Sequence, residues 1–439
     1  MNCTSLRNIG PPAITAVVGI FSLTQGCLRA DIFNVDVSSP ALTLYTDPNP
    51  PHNEIKAGGF SGLYPVPGDA TRSLFYAVSD RGPTADHPTV VNGKVFPLAP
   101  ESPGILKLQL LSDGTAQILE IIPLRKPGGA PVTGLPNRSL PASEVGFDMF
   151  LAELPDDPDG LDVEGLTMDA AGNFWICEEY RPSVCRVAPD GTVNLRLVPQ
   201  GSPLGGNLIP TFDVLPALLA KRRANRGLEG VAFSHGHLYA IMQRPLNNPS
   251  QTVGNASRNV RIIDIDIAGL AGANPAGVVL QYLYLTEPNA SQANVLLSDI
   301  FSLSPSLFLV GERRTDKLFA INMAPATDIT PLENPLTGKL LSDPARTIEQ
   351  LTPAELAQLG VRTVKKAVVV PSLKALEPLL DKVEGVAVSG RTIVLCHDND
   401  FNFLGANFST SPATVLLITP PNLPKVVTTP LPEEVEFSE

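Results

Sequence analysis

The chain has 439 residues and a formal net charge of −12, from 32 Lys plus Arg against 44 Asp plus Glu. This acidity excludes a general attraction to nucleic acid and other polyanions, so an anionic substrate needs locally placed arginines or a bound cation. The 44 prolines and 35 glycines are spread along the chain and favour many strands and turns over long helices.

The first 30 residues are predicted to be a secretory signal peptide. They contain Arg7 and Arg29 but no acidic residue, and an apolar run at 13–23 precedes a cleavage site near Ala30. The run is about half of the ~20 residues that a membrane-spanning helix needs, so no stable membrane span is expected. Export to the periplasm, the cell envelope or the medium is therefore predicted, with lipidation at Cys27 as the less favoured alternative.

The rest of the chain is predicted to form one domain. Residues 31–57 are expected to be a lead-in segment, residues 58–425 a single all-β domain, and residues 426–439 an acidic tail. Large all-β folds often reach ~400 residues as one domain, and we expect a monomer. Without the signal peptide the formal charge is −14, and three cysteines remain, Cys177, Cys185 and Cys396. Cys177 and Cys185 flank a predicted hairpin, where a disulfide and two buried free thiols are both open.

An internal repeat is the main structural pattern of the chain. Three segments align without gaps over fifteen residues and begin with Glu164-Gly165, Glu229-Gly230 and Glu384-Gly385. In each segment two alternating apolar stretches flank a turn, and a polar residue ends the second stretch fourteen positions after the Glu. Alternation with a period of two around a glycine-containing turn predicts a β-hairpin. Two looser copies begin near Gly59 and Ser298.

Recurrent hairpins with further strands downstream predict a β-propeller. Five units are recognisable, and their spacing leaves room for one or two more, so six or seven blades are expected. Short helical insertions on the connections between blades are predicted at 213–225 and at 352–359, where the second begins like a capping box. A pair of β-sandwiches is the alternative architecture, but it does not explain the equally spaced carboxylates.

The repeated glutamates are candidate metal ligands. Innermost propeller strands line the central channel, so Glu164, Glu229 and Glu384 are expected to face one another. Clustered carboxylates repel and raise one another's pKa unless a cation lies between them. Oxygen ligands in an exported protein favour Ca²⁺. The alternative is that each Glu only accepts hydrogen bonds from backbone amides of the next blade.

An acidic loop and the strand ends add further candidates. Asp159, Asp162 and Glu164 lie in the acidic run 156–164, which predicts either a calcium-binding loop or a solvated turn. The strand ends differ between blades, which is typical of a site where a metal and an anion share one pocket. They are Asp80-Arg81, Glu178-Glu179, Gln243-Arg244, Glu312-Arg313 and Asp398-Asn399-Asp400. His397 is expected to be structurally hydrogen-bonded rather than catalytic.

Several of these segments together resemble the phytase-like family, also described as "esterase-like activity of phytase". The resemblance spans about residues 58 to 403. Its segments are 79–83, 159–166 with 174–182, 227–230, 311–313, and 382–385 with 398–401.

The resemblance implies hydrolysis of a phosphomonoester or another ester on a propeller. Calcium is implied by the better understood β-propeller phytases, which this chain resembles in architecture rather than in motif. In that scheme, calcium neutralises the phosphate and activates water among the acids Asp80, Glu164, Glu178, Glu229, Glu312, Glu384 and Asp398. Glu178, Glu312 and Asp398 are the catalytic candidates, and Arg81, Arg244 and Arg313 hold the phosphoryl oxygens. Gln243 stands where other units have an acid, which argues against a complete ring of metal ligands.

Two other functions stay open at this point. A propeller esterase or lactonase would use one calcium, with a carboxylate or His397 activating water. A non-catalytic envelope-binding propeller would keep the carboxylates and turn over no substrate.

Overall fold

The computed structural model describes residues 30–48, 53–138, 140, 143–268, 279–376, 382–404, 407–408 and 413–420. The predicted signal peptide, up to residue 29, and the predicted tail at 426–439 lie outside these residues. The described part is almost entirely β-structure. No helix in it has the length and apolar character that crossing a membrane requires.

The strands are numbered in chain order. Before the first blade come β1 (Ala30–Asp36), β2 (Thr43–Thr46) and β3 (Glu54–Lys56). The first blade and its insertions comprise β4 (Phe60–Pro65), β5 (Leu74–Ser79), β6 (Ala85–Asp86), β7 (Gly93–Val95), β8 (Gly104–Leu110), β9 (Thr115–Pro123) and β10 (Val145–Phe147). The second comprises β11 (Val163–Met168), β12 (Phe174–Glu178), β13 (Ser183–Val187), β14 (Val193–Pro199) and β15 (Thr211–Leu215).

The third blade comprises β16 (Leu228–Ser234), β17 (His237–Met242), β18 (Asn259–Asp266) and β19 (Val279–Leu285), with helix α1 (Gln251–Ala256) inserted. The fourth comprises β20 (Leu296–Ser304), β21 (Leu307–Arg313), β22 (Lys317–Asn322) and β23 (Lys365–Val370), with helix α2 (Pro353–Gln358) inserted. The last part of the chain forms β24 (Val383–Ser389), β25 (Thr392–His397), β26 (Phe403–Leu404), β27 (Asn407–Phe408) and β28 (Thr414–Ile418).

The predicted all-β propeller is confirmed, but the predicted number of blades is not. The five hairpins become the inner halves of five antiparallel blades. Their innermost strands β4, β11, β16, β20 and β24 contact one another in sequence, and β24 contacts β4, which closes the ring. The described residues therefore form five blades rather than six or seven. The long spacings between units are filled by loops, short helices and the small sheet β10-β7-β6.

The fifth blade is completed by the N-terminal strand. Strand β1 pairs antiparallel with β28, with Ala30 opposite Ile418, and this gives the order β24-β25-β28-β1. The other edge of β1 pairs in parallel with β9, so the outer strands of the first and last blades join in one sheet. Part of the segment 31–57, expected to be a lead-in, is therefore built into the propeller.

A bulge recurs at the start of each inner strand, and a glycine follows it in four of the five. Strand pairing is interrupted between Val163 and Gly165, so Glu164 is the extra residue of a bulge, and Glu229 and Glu384 occupy the same place. The following glycine lets neighbouring backbones meet: a Cβ added to Gly165 would lie 2.8 Å from the Cα of Gly230. The Glu-Gly pair therefore sets a side chain on the axis and permits the close approach of the next blade.

The fourth blade replaces this glycine with an acid. Asp299 stands at the glycine position, and its buried carboxylate accepts hydrogen bonds from the backbone N–H groups of Ile300 (2.8 Å) and Val386 (2.9 Å). The bond to Val386 links the fourth blade to the fifth. One alternative left open by the sequence is that the repeated glutamates accept hydrogen bonds from backbone amides of the next blade. In the structure it is Asp299 that makes this kind of hydrogen bond.

The two predicted helical insertions have different outcomes. The second is confirmed as a helix, because α2 begins after Thr352 and both hydrogen bonds of a Thr352–Glu355 capping box are present. It lies between β22 and β23, inside the fourth blade rather than on a connection between blades. The first, at 213–225, is only partly helical. Its start continues β15, which pairs in parallel with β14, and a short 3-10 helix, Ala217–Lys221, follows Pro216.

The three cysteines are buried and free. Cys177 pairs with Val184 in the register of β12 and β13, and Cys185 pairs with Ile176. Since successive side chains on a strand point to opposite faces, the two thiols lie in different apolar clusters between the blades. Of the two alternatives left open by the sequence, a Cys177–Cys185 disulfide or two free thiols, the structure has the free thiols.

We predict that Gly165→Ala destabilises the propeller by about 1–3 kcal/mol, because the new methyl group would overlap the backbone of the third blade. The measurement is the midpoint of urea unfolding. Gly205→Ala is the control, since a Cβ there meets nothing within 4 Å. Equal midpoints for the two variants would contradict this account of the ring.

Candidate metal site on the propeller axis

In each blade, three equivalent residues lie at the same end of the central channel. The first is the residue before the inner strand, the second is the bulge residue, and the third follows the second strand. In four blades this equivalence rests on a repeated bond, in which the backbone N–H of the third residue donates to the carbonyl of the first, as from Glu179 to Asp162. In the fourth blade it rests on the strand register, which places Leu296 opposite Arg313. The bulge residues are Ser61, Glu164, Glu229, Ser298 and Glu384. The third residues are Asp80, Glu179, Gln243, Arg313 and Asp398.

Seven of these ten residues line a cavity of about 530 Å³, and the other three, Ser61, Ser298 and Asp398, do not. Glu164, Glu229 and Glu384 all line it, as the repeat predicts, and none of their carboxylates accepts a backbone hydrogen bond from a described residue. Its charged walls are formed by Asp80, Arg81, Asp86, Lys94, Glu164, Glu179, Arg226, Glu229, Arg313, Lys382, Glu384 and Asp400.

Two groups of three carboxylates are close enough to hold a cation. Asp80, Asp162 and Glu164 form one group, and Glu164, Glu179 and Glu229 form the other. Within each group the ligand oxygens lie within 4.8 Å of one another. Glu164 belongs to both groups, so two cations bound there would share this carboxylate.

Burial and mutual repulsion make the negative charge of these groups costly. The pKa of Glu164 is raised well above its usual range, first by burial and then by Asp80 and Glu229. Burial likewise raises the pKa of Glu229 well above the ordinary value, and Glu179 and Glu384 add to the effect. The pKa of Asp162 is also raised by burial, although the adjacent Arg81 favours its charged form.

Unpartnered oxygens show that the site suits a cation. One buried carboxylate oxygen on each of Asp162, Glu179, Glu229 and Glu384 has no hydrogen-bond partner among the described residues. An unpaired buried oxygen is unfavourable, and a cation removes this penalty for several oxygens at once. Since all of these donors are oxygens, Ca²⁺ or Mg²⁺ fits better than a metal that prefers thiolate or imidazole.

Five cationic side chains line the cavity, Arg81, Lys94, Arg226, Arg313 and Lys382, and three of them pair closely with buried acids. The Arg81 guanidinium donates to Glu144 (2.5 Å) and to Asp162 (3.0 Å) and is almost fully buried. Arg313 pairs with Glu384 and lies 3.8 Å from Glu229. Lys382 pairs with Asp398 and Asp400 at the other side of the mouth.

Two of the three catalytic candidates, Glu178 and Glu312, lie outside the axial cavity. Glu178 accepts hydrogen bonds from two backbone N–H groups, from Ser183 and from the buried Arg196 (2.7 Å). Glu312 accepts from Tyr284 (2.8 Å) and from the backbone of Glu287, and Lys366 lies 3.3 Å away. Both carboxylates are engaged in the scaffold.

Other candidates divide between the cavity and the surrounding loops. Asp159 accepts from the backbone N–H groups of Leu208 and Ile209 and fixes a loop, so it is separate from the two acidic groups. Arg244 lies in a neighbouring cavity. Asp398 and Arg81 do meet the axial cluster, through their ion pairs.

Two residues of the site were missed by the sequence argument, Glu179 and Lys382. The connection between Met168 and Phe174 contains five residues, whereas Phe233 and Leu238 are separated by four, so a gapless alignment shifts the register by one. A shift of one residue exchanges the two faces of a strand. Counting turn lengths would have replaced Glu178 by Glu179 and Glu312 by Arg313.

Five blades around a cavity lined by carboxylates and arginines define the chain as a propeller with a candidate hydrolytic, cation-binding centre. A family model described as "Phytase-like: Esterase-like activity of phytase" matches residues 55–401. The chain belongs to this phytase-like family, as the sequence motifs predict.

One curated relative is an "Uncharacterized secreted protein" of Arthroderma benhamiae. It is 25% identical over 234 residues, which cover 45% of this chain. The match spans 44% of the relative, so the chain covers less than half of that protein's length.

Solved structures resemble the chain only weakly. A luciferin-regenerating enzyme is 11% identical, with 85% of this chain and 97% of that chain covered and a TM-score of 0.34. An aldose sugar dehydrogenase from Streptomyces coelicolor is 13% identical, with 89% and 98% covered and a TM-score of 0.30. The fold assignment rests on the strand pairing of the chain itself.

We predict that the metal-free protein loses stability as the pH rises above about 4.5, the ordinary glutamate value. The raised pKa values of Asp162, Glu164 and Glu229 mean that the folded state binds more protons than the unfolded state in this range. The measurement is the urea midpoint between pH 5 and 8, with chelator or with calcium. With calcium present, the urea midpoint is expected to change less with pH. A metal-free midpoint that rises with pH would contradict the prediction.

Glu164→Gln is expected to stabilise the metal-free protein by on the order of 1 kcal/mol, because it removes one of the repelling charges. The same change should weaken calcium binding. Glu178→Gln is the contrasting variant: it should cost about 3–5 kcal/mol by leaving Arg196 without its carboxylate partner, while calcium affinity is unchanged. Calorimetric titration and urea unfolding test both. Loss of stability in Glu164→Gln would indicate a structural role instead.

Proposed function

We propose that this protein is an exported calcium-dependent hydrolase of phosphomonoesters, with the axial cavity as its active site. The observation that carries this proposal is the pair of acidic groups joined by Glu164, next to the cationic side chain of Arg313. Membership of the phytase-like family supports hydrolysis of an ester bond. The secreted relative supports export, together with the predicted signal peptide.

Calcium, when bound, supplies positive charge next to a phosphoryl oxygen and lowers the pKa of water. Asp80, Asp162, Glu164, Glu179 and Glu229 are the residues that would hold it. This set differs from the metal ligands proposed from the sequence by the addition of Glu179 and the omission of Asp159 and Glu384. Because an empty acidic cavity repels a phosphate, binding of substrate should depend on calcium.

The surrounding side chains have separate roles in this proposal. Arg313 can reach the cavity while it pairs with Glu384, and it supplies planar N–H donors of the kind that bind phosphoryl oxygens. Lys382 keeps Asp398 and Asp400 neutralised at the mouth. Glu179 and Glu229, which line the cavity, are the proposed acceptors of the proton that the attacking water loses.

The test is phosphate release from an aryl phosphate and from phytate, with an aryl acetate in parallel. Chelator-treated protein is expected to be inactive and to regain phosphate release with calcium. Glu229→Gln should lower kcat/KM by about 100-fold or more, since it removes a ligand and a proton acceptor. Glu120→Gln, an exposed acid on β9, is the control and should keep full activity.

Each other outcome has a definite meaning. Turnover of the acetate without phosphate release would replace this proposal by the esterase or lactonase. If the calcium-loaded protein turns over none of the three substrates, the proposal fails in favour of a binding propeller. Activity that persists after chelation, and in Glu229→Gln, would exclude the axial site.

A further inference from the structure

A second cavity opens beside the axial one. It has a volume of about 580 Å³ and shares Arg226, Leu296, Arg313 and Lys382 with the wall of the axial cavity. The two cavities therefore lie side by side, close enough for one extended molecule to reach both. We call the second cavity the basic annex.

The basic annex contains positive charge that the protein does not neutralise. Arg223, Arg244, Arg314 and Lys374 line it and form no ion pair with a described residue. Its two acids are engaged elsewhere: Glu312 by Tyr284 and Lys366, and Asp316 by Ser372 and the backbone of Lys374. The excess of cations is local, because the whole chain has a charge of −12.

Arg244 is the strongest indication of a ligand. Its side chain is only 1% exposed, and its single hydrogen bond runs from Nη2 to Asn255 (2.8 Å). Nε and Nη1 have no partner among the described residues. Burial and the neighbouring Arg223 and Arg226 lower its pKa to about 10, so positive charge at this position is disfavoured without an anion. A buried guanidinium whose Nε and Nη1 have no hydrogen-bond acceptor is suited to bind an oxyanion.

We propose that the basic annex is an anion-binding subsite that holds a second phosphate or carboxylate group of the substrate while the first lies at the axial carboxylates. This extends the proposed function and defines the substrate class as molecules with two anionic groups. Arg244 and Arg223 bind the second group, and Arg313 stands between the subsites. A substrate with a single anionic group leaves the annex unfilled.

The first experiment measures binding without catalysis. Metal-free protein is titrated with inorganic phosphate in a calorimeter. Arg244→Gln is expected to weaken phosphate binding about tenfold or more, whereas Arg125→Gln, an exposed arginine outside both cavities, should bind as the unmodified protein does. Arg223→Gln is the second variant, and thermal unfolding checks that each variant is folded. Unchanged phosphate binding in both Arg244→Gln and Arg223→Gln would overturn the subsite.

The second experiment separates a substrate group from a free ion. Hydrolysis of 1,6-hexanediol bisphosphate is compared with that of the monophosphate in the presence of calcium. The bisphosphate should have a KM about tenfold lower at a similar kcat, and Arg244→Gln should reduce this advantage to the factor of about two expected from two equivalent ends. If phosphate binds but the bisphosphate has no advantage, the annex holds a free anion and the proposed substrate class is overturned.

Failure of the proposed function gives a different pattern. Glu164→Gln should abolish hydrolysis and leave phosphate binding to the metal-free annex intact. If no variant hydrolyses any phosphoester, but Arg244→Gln still loses phosphate binding, the annex stands as an anion site and the hydrolase proposal falls.

Discussion

Close contact between the backbones of five inner strands is the constraint on which the site depends. Gly62, Gly165, Gly230 and Gly385 leave room for the neighbouring strand, and Asp299 replaces the missing glycine with a hydrogen bond across the same gap. The narrow ring forces the bulge residues toward one axis. Three of them are glutamates, and their separation is therefore set by the packing of the main chain rather than by their own attraction or repulsion.

This geometry gives the protein a concentrated negative charge that folding alone does not favour. Arg81, Arg313 and Lys382 neutralise part of it, and several buried oxygens still lack partners. Local destabilisation of this kind is common at functional sites, where the rest of the fold supplies the stability. The basic annex shows the opposite imbalance a short distance away. An excess of negative charge in the axial cavity and an excess of positive charge in the basic annex thus lie next to each other on a protein that is acidic overall.

The blade hairpins and the axial glutamates could be predicted from local sequence, because both recur at fixed positions along the chain. Glu164, Glu229 and Glu384 were found from the repeat alone. The strand ends could not be placed reliably, since one extra turn residue in the second and fourth blades moves Glu178 and Glu312 off the axis. The number of blades and the role of β1 depend on pairing between distant parts of the chain, which a local pattern does not contain. Arg244 was proposed from the sequence as a phosphate-binding residue, and its position in a separate cavity became visible only in the fold.

The pairing of β1 with β28 also determines on which face of the propeller a tether or a fused protein can be attached. Ala30 lies opposite Ile418, and Ile418 in turn pairs with Ile393 at the start of β25. The cavity lies at the other end of β25, where His397 pairs with Thr414 and Asp398 follows. Ala30 and Ile418 therefore both lie toward the face of the propeller opposite the cavity. A tether or fusion at either end would hold the molecule with its opening turned outward, free to meet dissolved molecules.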